Sequence, residues 1–384
     1  MQMRAISPVA SEAVPPGAVG SDGSWLAAQA LEPNFTLMPQ WLEPLVRHQA
    51  RGQKPQIFQT IADDGRPGGL VALARGRWRW GLPLSHLETV FGGFPISGTP
   101  LLNPADPAGA ARSLIGEAFG HSGASAMLLS KVTGHHVVSS VLVDACTALG
   151  APVCFLDDCQ RAALRCNGDH DAWFEASFSR KRRKEFRRLK ARLGEQGTLS
   201  FEANAPSGAA LDDWTEAFCA LEKAGWKGRT GTAIGSSDEL AAFLRQSLHR
   251  LSADGKLVCW SLMLGAKPVA MMFGVRDAGR CWIVKIARDE ALDRFSPGQL
   301  LVLEVTRWLF EQDDIMFADS CAEPGHPMID HIWRDRLDMR DVLIGRPGQN
   351  PALFALLCRL ERIRRAARKT LKTALIRIRK GHRP

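Results

Sequence analysis

The sequence predicts an α/β protein with mixed sheets, α+β in character, built as two units of similar order. Three observations carry this. The stretch 256–312 reads strand, turn, strand, turn, strand, then a helix opened by Arg294-Phe295-Ser296-Pro297-Gly298. The stretch 54–80 reads in the same order, with matching features offset by roughly 190–200 residues, as an old duplication would leave them. The length of 384 residues suits two ordinary domains better than one.

Residues 1–24 are rich in Ala, Pro, Gly and Ser and read as a disordered leader. Residues 25–168 form the first unit, with strands expected at 57–61, 70–74, 78–80, 127–129 and 153–156 and helices at 41–51, 108–119 and 137–149. In it the turn Ser97-Gly98-Thr99-Pro100 precedes a helix, and a strand ends at Ser130. A linker rich in Asp and Gly opens the second unit, 169–348. There a basic helix at 173–196 leads to a strand at 198–202 and helices at 211–224 and 238–253. Strands at 256–264, 267–275 and 280–287 precede the helix at 297–312, and a strand at 315–320 follows it. The tail, 349–384, reads as one long basic helix.

The junction at 294–298 is the most informative local signal. Ser296 is expected to be a strong N-cap, and Pro297 fits the first helical position, where its missing N–H costs nothing. Gly298 lets a ligand approach the backbone, and the apolar run 300–310 gives the helix a buried face. Free N–H groups at such a terminus attract phosphate, with Arg294 beside them. The residues point to a phosphate-bearing cofactor at a strand-to-helix junction, or else to an ordinary capped helix on a sheet.

Bulk properties narrow the class. A net charge of +9 favours anionic partners. Nine scattered cysteines without paired spacing read as reduced thiols. No apolar stretch approaches the roughly 18 residues of a membrane span, and the N-terminus lacks a signal-peptide core. A cytoplasmic setting is expected. The chain has no tyrosine.

Five stretches, SRKRRKEFRRLKARL, LEKAGWKGRTGTAI, LMLGAKPVAMMFGV, WIVKIARDEALDRFSPGQLLVLEV and FADSCAEPGHPMIDHIWRDR, run from Ser179 to Arg336 within a segment of about 173–344. In this order they resemble the GNAT superfamily of acyl-CoA N-acyltransferases. The likeness is to the tandem-domain branch of cellulose-biosynthesis-type acetyltransferases and Fem-type transferases. The resemblance implies two GNAT-like domains, the first degenerate. In the second, two parallel strands, 280–287 and 315–320, splay apart around the pantetheine arm of acetyl-CoA. It implies that Ser296 and the N–H groups of Gly298, Gln299 and Leu300 hold the pyrophosphate, with Arg294 near. Lys285 and Ile286 would line the cofactor strand. Trp226, Lys227 and Arg229 would lie over the acceptor, with Asp289 close by. RFSPGQ departs from the glycine-richer loop of the superfamily, and its proline removes one donor.

Acyl transfer needs a neutral attacking amine, a donor for the oxyanion and a proton for the leaving thiolate. The superfamily often uses a tyrosine for the last step, which this chain lacks. Asp319, Cys321, Glu323, His326 and Asp330 are the candidates; Asp319, Glu323 and His326 are taken as the catalytic set. His326 and His331 stand five residues apart and do not share a helix face, so no metal is expected.

Two segments are strongly basic. From Arg180 to Arg192 nine of thirteen residues are Lys or Arg, with Phe178, Phe186, Leu189 and Leu193 at helical spacing. In the tail, Leu353, Leu356, Leu357, Leu360, Ile363, Ala367, Leu371, Leu375 and Ile378 form an apolar stripe among basic residues. That tail either docks on its own domain or lies on an anionic inner-membrane surface through 353–380. The expected function is acyl-CoA-dependent N-acylation, with acetyl as the group and an amine of an amino sugar or other envelope precursor as acceptor. Nucleic acid is not expected as a partner. The alternatives are a Fem-type transferase taking its aminoacyl group from tRNA, and a non-catalytic binding protein on a degenerate transferase fold.

Overall fold

The computed structural model describes residues 20–52 and 54–381. The first half runs α1 (Gly20–Gln29), α2 (Pro39–His48), β1 (Pro55–Ile61), β2 (Pro67–Gly76), β3 (His86–Thr89), β4 (Leu101–Leu102), α3 (Pro107–Ser122), β5 (Ala126–Thr133), α4 (His135–Leu149) and β6 (Val153–Arg165). The second runs α5 (His170–Ser177), α6 (Arg180–Gly194), β7 (Leu199–Asn204), α7 (Gly208–Ala224), α8 (Trp226–Arg229), α9 (Asp238–Ala253), β8 (Leu257–Leu264), β9 (Lys267–Asp277), β10 (Arg280–Arg288), α10 (Pro297–Phe310), β11 (Phe317–Asp319), β12 (Asp335–Gly345) and α11 (Pro351–Gly381).

All the described strands join one mixed sheet, ordered β1-β2-β3-β5-β12-β6-β11-β10-β9-β8-β7, with β4 beside β2. Each half holds one parallel pair that opens. In the second half β10 meets β11 only from Arg280–Phe317 to Trp282–Asp319, while β10 continues to Arg288. In the first half β3 meets β5 only from His86 to Glu88. The halves also trade strands. β6 pairs with β11 of the second half, β12 pairs with β5 of the first, and β6 and β12 pair with each other.

The repeat is visible in backbone detail. Asp106-Pro107 opens α3, and Ser296-Pro297 opens α10, 190 residues later. Lys131 and Cys321, also 190 apart, both take left-handed conformations, φ 57° and 50°, at the opening parallel pairs. The two helix starts differ in one respect. The Asp106 carboxylate accepts from the Gly109 N–H at 2.9 Å. The first half therefore places its own anion where a phosphate would sit.

Several expectations are corrected. Residues 20–24, assigned to the leader, belong to α1; residues 1–19 lie outside those described. The strand expected at 78–80 is a turn, and the third strand is β3. The turn at 97–100 is followed by β4 before α3 begins. The strand thought to end at Ser130 continues to Thr133. The helix expected at 173–196 is two helices. Phe178 is extended between them, and the Ser179 hydroxyl caps α6 by accepting from the Arg182 N–H. Phe178 still packs with Phe186, Leu189 and Leu193 in the core.

An aromatic cluster joins the halves. Trp41 of α2 packs edge-on against Phe94 and against Phe243 of α9, with centroids 5.2 and 5.0 Å away, and Phe35 meets Trp282 at 5.4 Å. Each such pair adds roughly 0.5–1.5 kcal/mol beyond area burial. The nine cysteines are free thiols. Among the described residues no helix is long and apolar enough to cross a membrane.

Candidate active site

A cavity of about 600 Å³ opens beyond the last β10–β11 pair. Its walls are the end of β10 (Ile286, Ala287, Arg288), the start of α10 (Ser296, Gly298, Gln299), the end of α7 with α8, and the loop His326–Met328. The size is that of a small-ligand site.

The start of α10 is arranged differently from the sequence expectation. Ser296 is left-handed, φ 54° and ψ 51°, and its side chain makes no cap bond. Side-chain capping needs an extended backbone, so the strong N-cap is corrected. Its carbonyl instead accepts from the N–H groups of Gln299 at 2.9 Å and Leu300 at 3.1 Å. Leu300 is buried in the core. Of the three amides expected to hold phosphate, only that of Gly298 has no backbone acceptor among the described residues. Arg294 does not line the cavity; its guanidinium lies over the Phe295 ring at 4.6 Å. Two other arginines stand nearer. Arg288 lines the wall and forms a bidentate pair with Asp293 at 2.8 and 3.0 Å. Arg182, at the start of basic α6, donates to the Gln299 side chain at 3.3 Å.

At the α7–α8 wall stands Glu222, a residue without any local signal in the sequence. It is 3% exposed and lines the cavity. It accepts from Lys227 Nζ at 3.0 Å and from the Ile234 N–H at 2.8 Å, and Lys285 Nζ also lies 3.0 Å away. Burial alone would raise its pKa. Lys285, Lys227 and the Ile234 N–H outweigh that and hold the carboxyl below its usual range. For Lys285 burial dominates and lowers the pKa despite Glu222. Lys285 thus turns to Glu222 and to the Phe94 ring, 5.1 Å away, rather than to the helix start. Lys227 also reaches the Ile286 carbonyl at 3.2 Å. One carboxylate therefore fastens the α8 loop to β10. Trp226, 49% exposed, stands at the mouth. Arg229 is not in the lining, but it pairs at 2.7 Å with Glu290, which is. Asp289 is also off the cavity: it caps the Ala291 N–H at 3.0 Å and pairs with Lys267 at 2.7 Å.

Of the catalytic candidates only His326 lines the cavity. Its Nδ1 accepts from the N–H groups of Met328 at 3.3 Å and Ile329 at 3.4 Å. The neutral ring then carries its proton on Nε2, which makes that atom a donor. Burial lowers its pKa most, with Asp330 pulling the other way. Asp319 is corrected to a structural role. It is 1% exposed and paired with Arg161, itself fully buried, and its Oδ1 accepts from the Cys321 N–H at 2.9 Å. Glu323 is exposed and pairs with Lys131, away from the cavity. Cys321 does not line the cavity, and burial, with Asp319 adding, raises its thiol pKa well above the usual range.

A family model described as an acetyltransferase (GNAT) domain matches residues 180–320. No curated protein matches the chain in sequence. Among solved structures, FemX shares the fold at a TM-score of 0.56 and 11% identity, over 82% of this chain and 94% of that one. A conserved protein of unknown function from Bacteroides thetaiotaomicron gives 0.55 at 13% identity, over 87% and 98%. The C-terminal domain (DUF2156) of a putative lysylphosphatidylglycerol synthetase from Agrobacterium fabrum gives 0.51 at 11%, over 89% and 95%. Residues 180–320 thus match the acetyltransferase (GNAT) domain model, and the chain as a whole shares its fold with FemX across both halves.

Proposed function

We propose that the protein transfers an acyl group, acetyl in the simplest case, from acyl-CoA to an amine of an amino sugar or similar envelope precursor. The observation that carries this reading is the cavity at the end of β10, which reaches the Gly298 end of α10 on one side and Trp226 on the other. The pantetheine arm would run along Ile286 and Ala287, and the phosphates would meet Gly298, Arg182 and Arg288. The acceptor would enter past Trp226.

The transfer is direct. The amine nitrogen bonds to the thioester carbon, the C–S bond breaks, the amine gives up a proton and the thiolate gains one. The register of β10 slips against β9 between Ile283 and Lys285, and such a bulge interrupts the ladder where an oxyanion donor is wanted. His326 Nε2–H takes the place a tyrosine hydroxyl would otherwise fill, as hydrogen-bond donor to the developing thiolate, and the proton that the amine releases is carried by water to the sulfur. His326→Ala is expected to lower kcat about 100-fold with little change in donor affinity. Its neutral form persists below the pH at which an ordinary histidine, near ~6.5, takes a proton. The stability it contributes is complete above that pH. On acidification it is lost, because the unfolded chain binds the proton first. A kcat–pH profile without a limb near neutrality in the wild type, together with the loss in the variant, checks both statements.

Binding of the donor tests the proposal itself. Acetyl-CoA at a hundredfold excess over its Kd should stabilise the fold by about 2.7 kcal/mol, read as a rise in melting temperature. Protection by aminoacyl-tRNA and not by acetyl-CoA would replace this reading with the aminoacyl one, which the contact of basic α6 with Gln299 favours.

A further inference from the structure

We infer that α11 and the β2–β3 loop form a surface that lies on an anionic phospholipid bilayer. The inner side of α11 is fixed to the body. Phe354, Leu357 and Cys358 are buried against Trp80, Leu128, Leu156 and Leu343. Glu361, with no exposed surface, accepts from Arg79 at 3.0 and 3.1 Å and from the Trp80 indole N–H at 3.1 Å. Arg364 and Arg365 close on the same carboxylate, and Arg365 continues to Asp157 and Asp341. These contacts fix which side of the helix faces away.

That outer side is both aliphatic and cationic. Leu356 is 45% exposed, Ile363 55% and Leu371 63%. Spacings of seven and eight put them on one face of a helix. Arg359, Arg362, Arg368 and Lys369 are exposed around them, and every residue from Ala366 to Leu371 is exposed. The expected stripe is thus divided between a docked and an outward part; Leu375 and Ile378 lie where side chains are outside those described. The β2–β3 loop adds Trp78, 63% exposed at a left-handed φ of 64°, and Leu82, 36% exposed. Arg79 and Trp80 tie this loop to Glu361, so the two elements are neighbours. Six of the ten exposed large hydrophobics among the described residues lie on them, which sets this region apart from the rest of the surface.

The chemistry selects the partner. Nucleic acid would use the cations but leave Ile363 and Leu371 without a role. Helix α6 makes the contrast: it is equally basic, but Phe186, Leu189 and Leu193 are buried and only solvated charge remains. A bilayer of anionic lipid takes both features, with cations at the headgroups, aliphatic side chains at the acyl boundary and tryptophan at the interface. The inference does not depend on the identity of the acyl donor.

Cosedimentation of the full-length protein with vesicles tests it. Binding to phosphatidylcholine mixed with phosphatidylglycerol should exceed binding to phosphatidylcholine alone by about tenfold or more, and should weaken as salt rises. The double substitution Ile363→Glu and Leu371→Glu alters only exposed positions. It should remove vesicle binding while the melting temperature stays unchanged, and Arg187→Glu on α6 should leave binding intact. Equal binding to both vesicle types, no binding, or binding that survives the double substitution would overturn the assignment. So would capture of an RNA homopolymer that the double variant retains in place of vesicle binding.

Discussion

Asp319→Ala is expected to destabilise the fold by about 3–5 kcal/mol, the usual cost of leaving a buried charge without its partner. Arg161 is fully buried, and its Nη1 donates to the Ile96 carbonyl at 2.6 Å. Its Nε has no partner, and among the described residues the Asp319 carboxylate is the group that ion-pairs with the guanidinium. The pair sits where β6 of the first half meets β11 of the second, and its loss would loosen that junction. Urea unfolding measures the effect. Replacing both residues together, Arg161→Met with Asp319→Leu, should recover much of the loss, since an apolar pair leaves no stranded charge. A folded Asp319→Ala protein of normal midpoint that had lost only kcat would return Asp319 to catalysis.

Gly298→Glu is expected to abolish donor binding while sparing the fold. A Cβ there would meet Arg288 Cδ at 3.2 Å, Met328 Sδ at 3.3 Å and Ile286 Cδ1 at 3.7 Å, the first two on flexible side chains. The neighbours can give by a few tenths of an ångström. A carboxylate in the first turn also favours the helix dipole by about 0.3–1 kcal/mol, which offsets the crowding. The same charge would oppose an incoming phosphate, and a 30-fold or larger loss of affinity, about 2 kcal/mol, should follow. Isothermal titration with acetyl-CoA reads this directly. Unchanged affinity would mean that the phosphates lie elsewhere and that α10 is only a packing element.

The sequence made some of this legible, and the reasons are local. Pro297 at the first helical position and the apolar run after it mark α10 without any knowledge of its neighbours. Trp226 and Lys227 stand out because glycines bracket them. The failures concern distance. Glu222 and Lys285 are joined across 63 positions, and nothing near either announces the other. Asp319 looked catalytic because it ends a strand at the mouth of the sheet; its partner lies 158 residues earlier in the chain. Arg294 was chosen for adjacency in sequence, whereas Arg182 reaches the helix start from another helix. The strand expected at 78–80 failed for a different reason. Its tryptophans are apolar enough for a strand, but Trp78 takes a left-handed backbone that ends regular pairing.

The swap of β6 and β12 has a consequence for biosynthesis. As the polypeptide leaves the ribosome, the open flank of β5 has no lasting partner until residues 335–345 emerge, some two hundred positions later. Through most of translation that flank is an adhesive edge of the kind that invites aggregation. Completion of the amino-terminal half is therefore a late event, coupled to the carboxy-terminal half. A gene split between the two would have to supply both fragments at once to yield either.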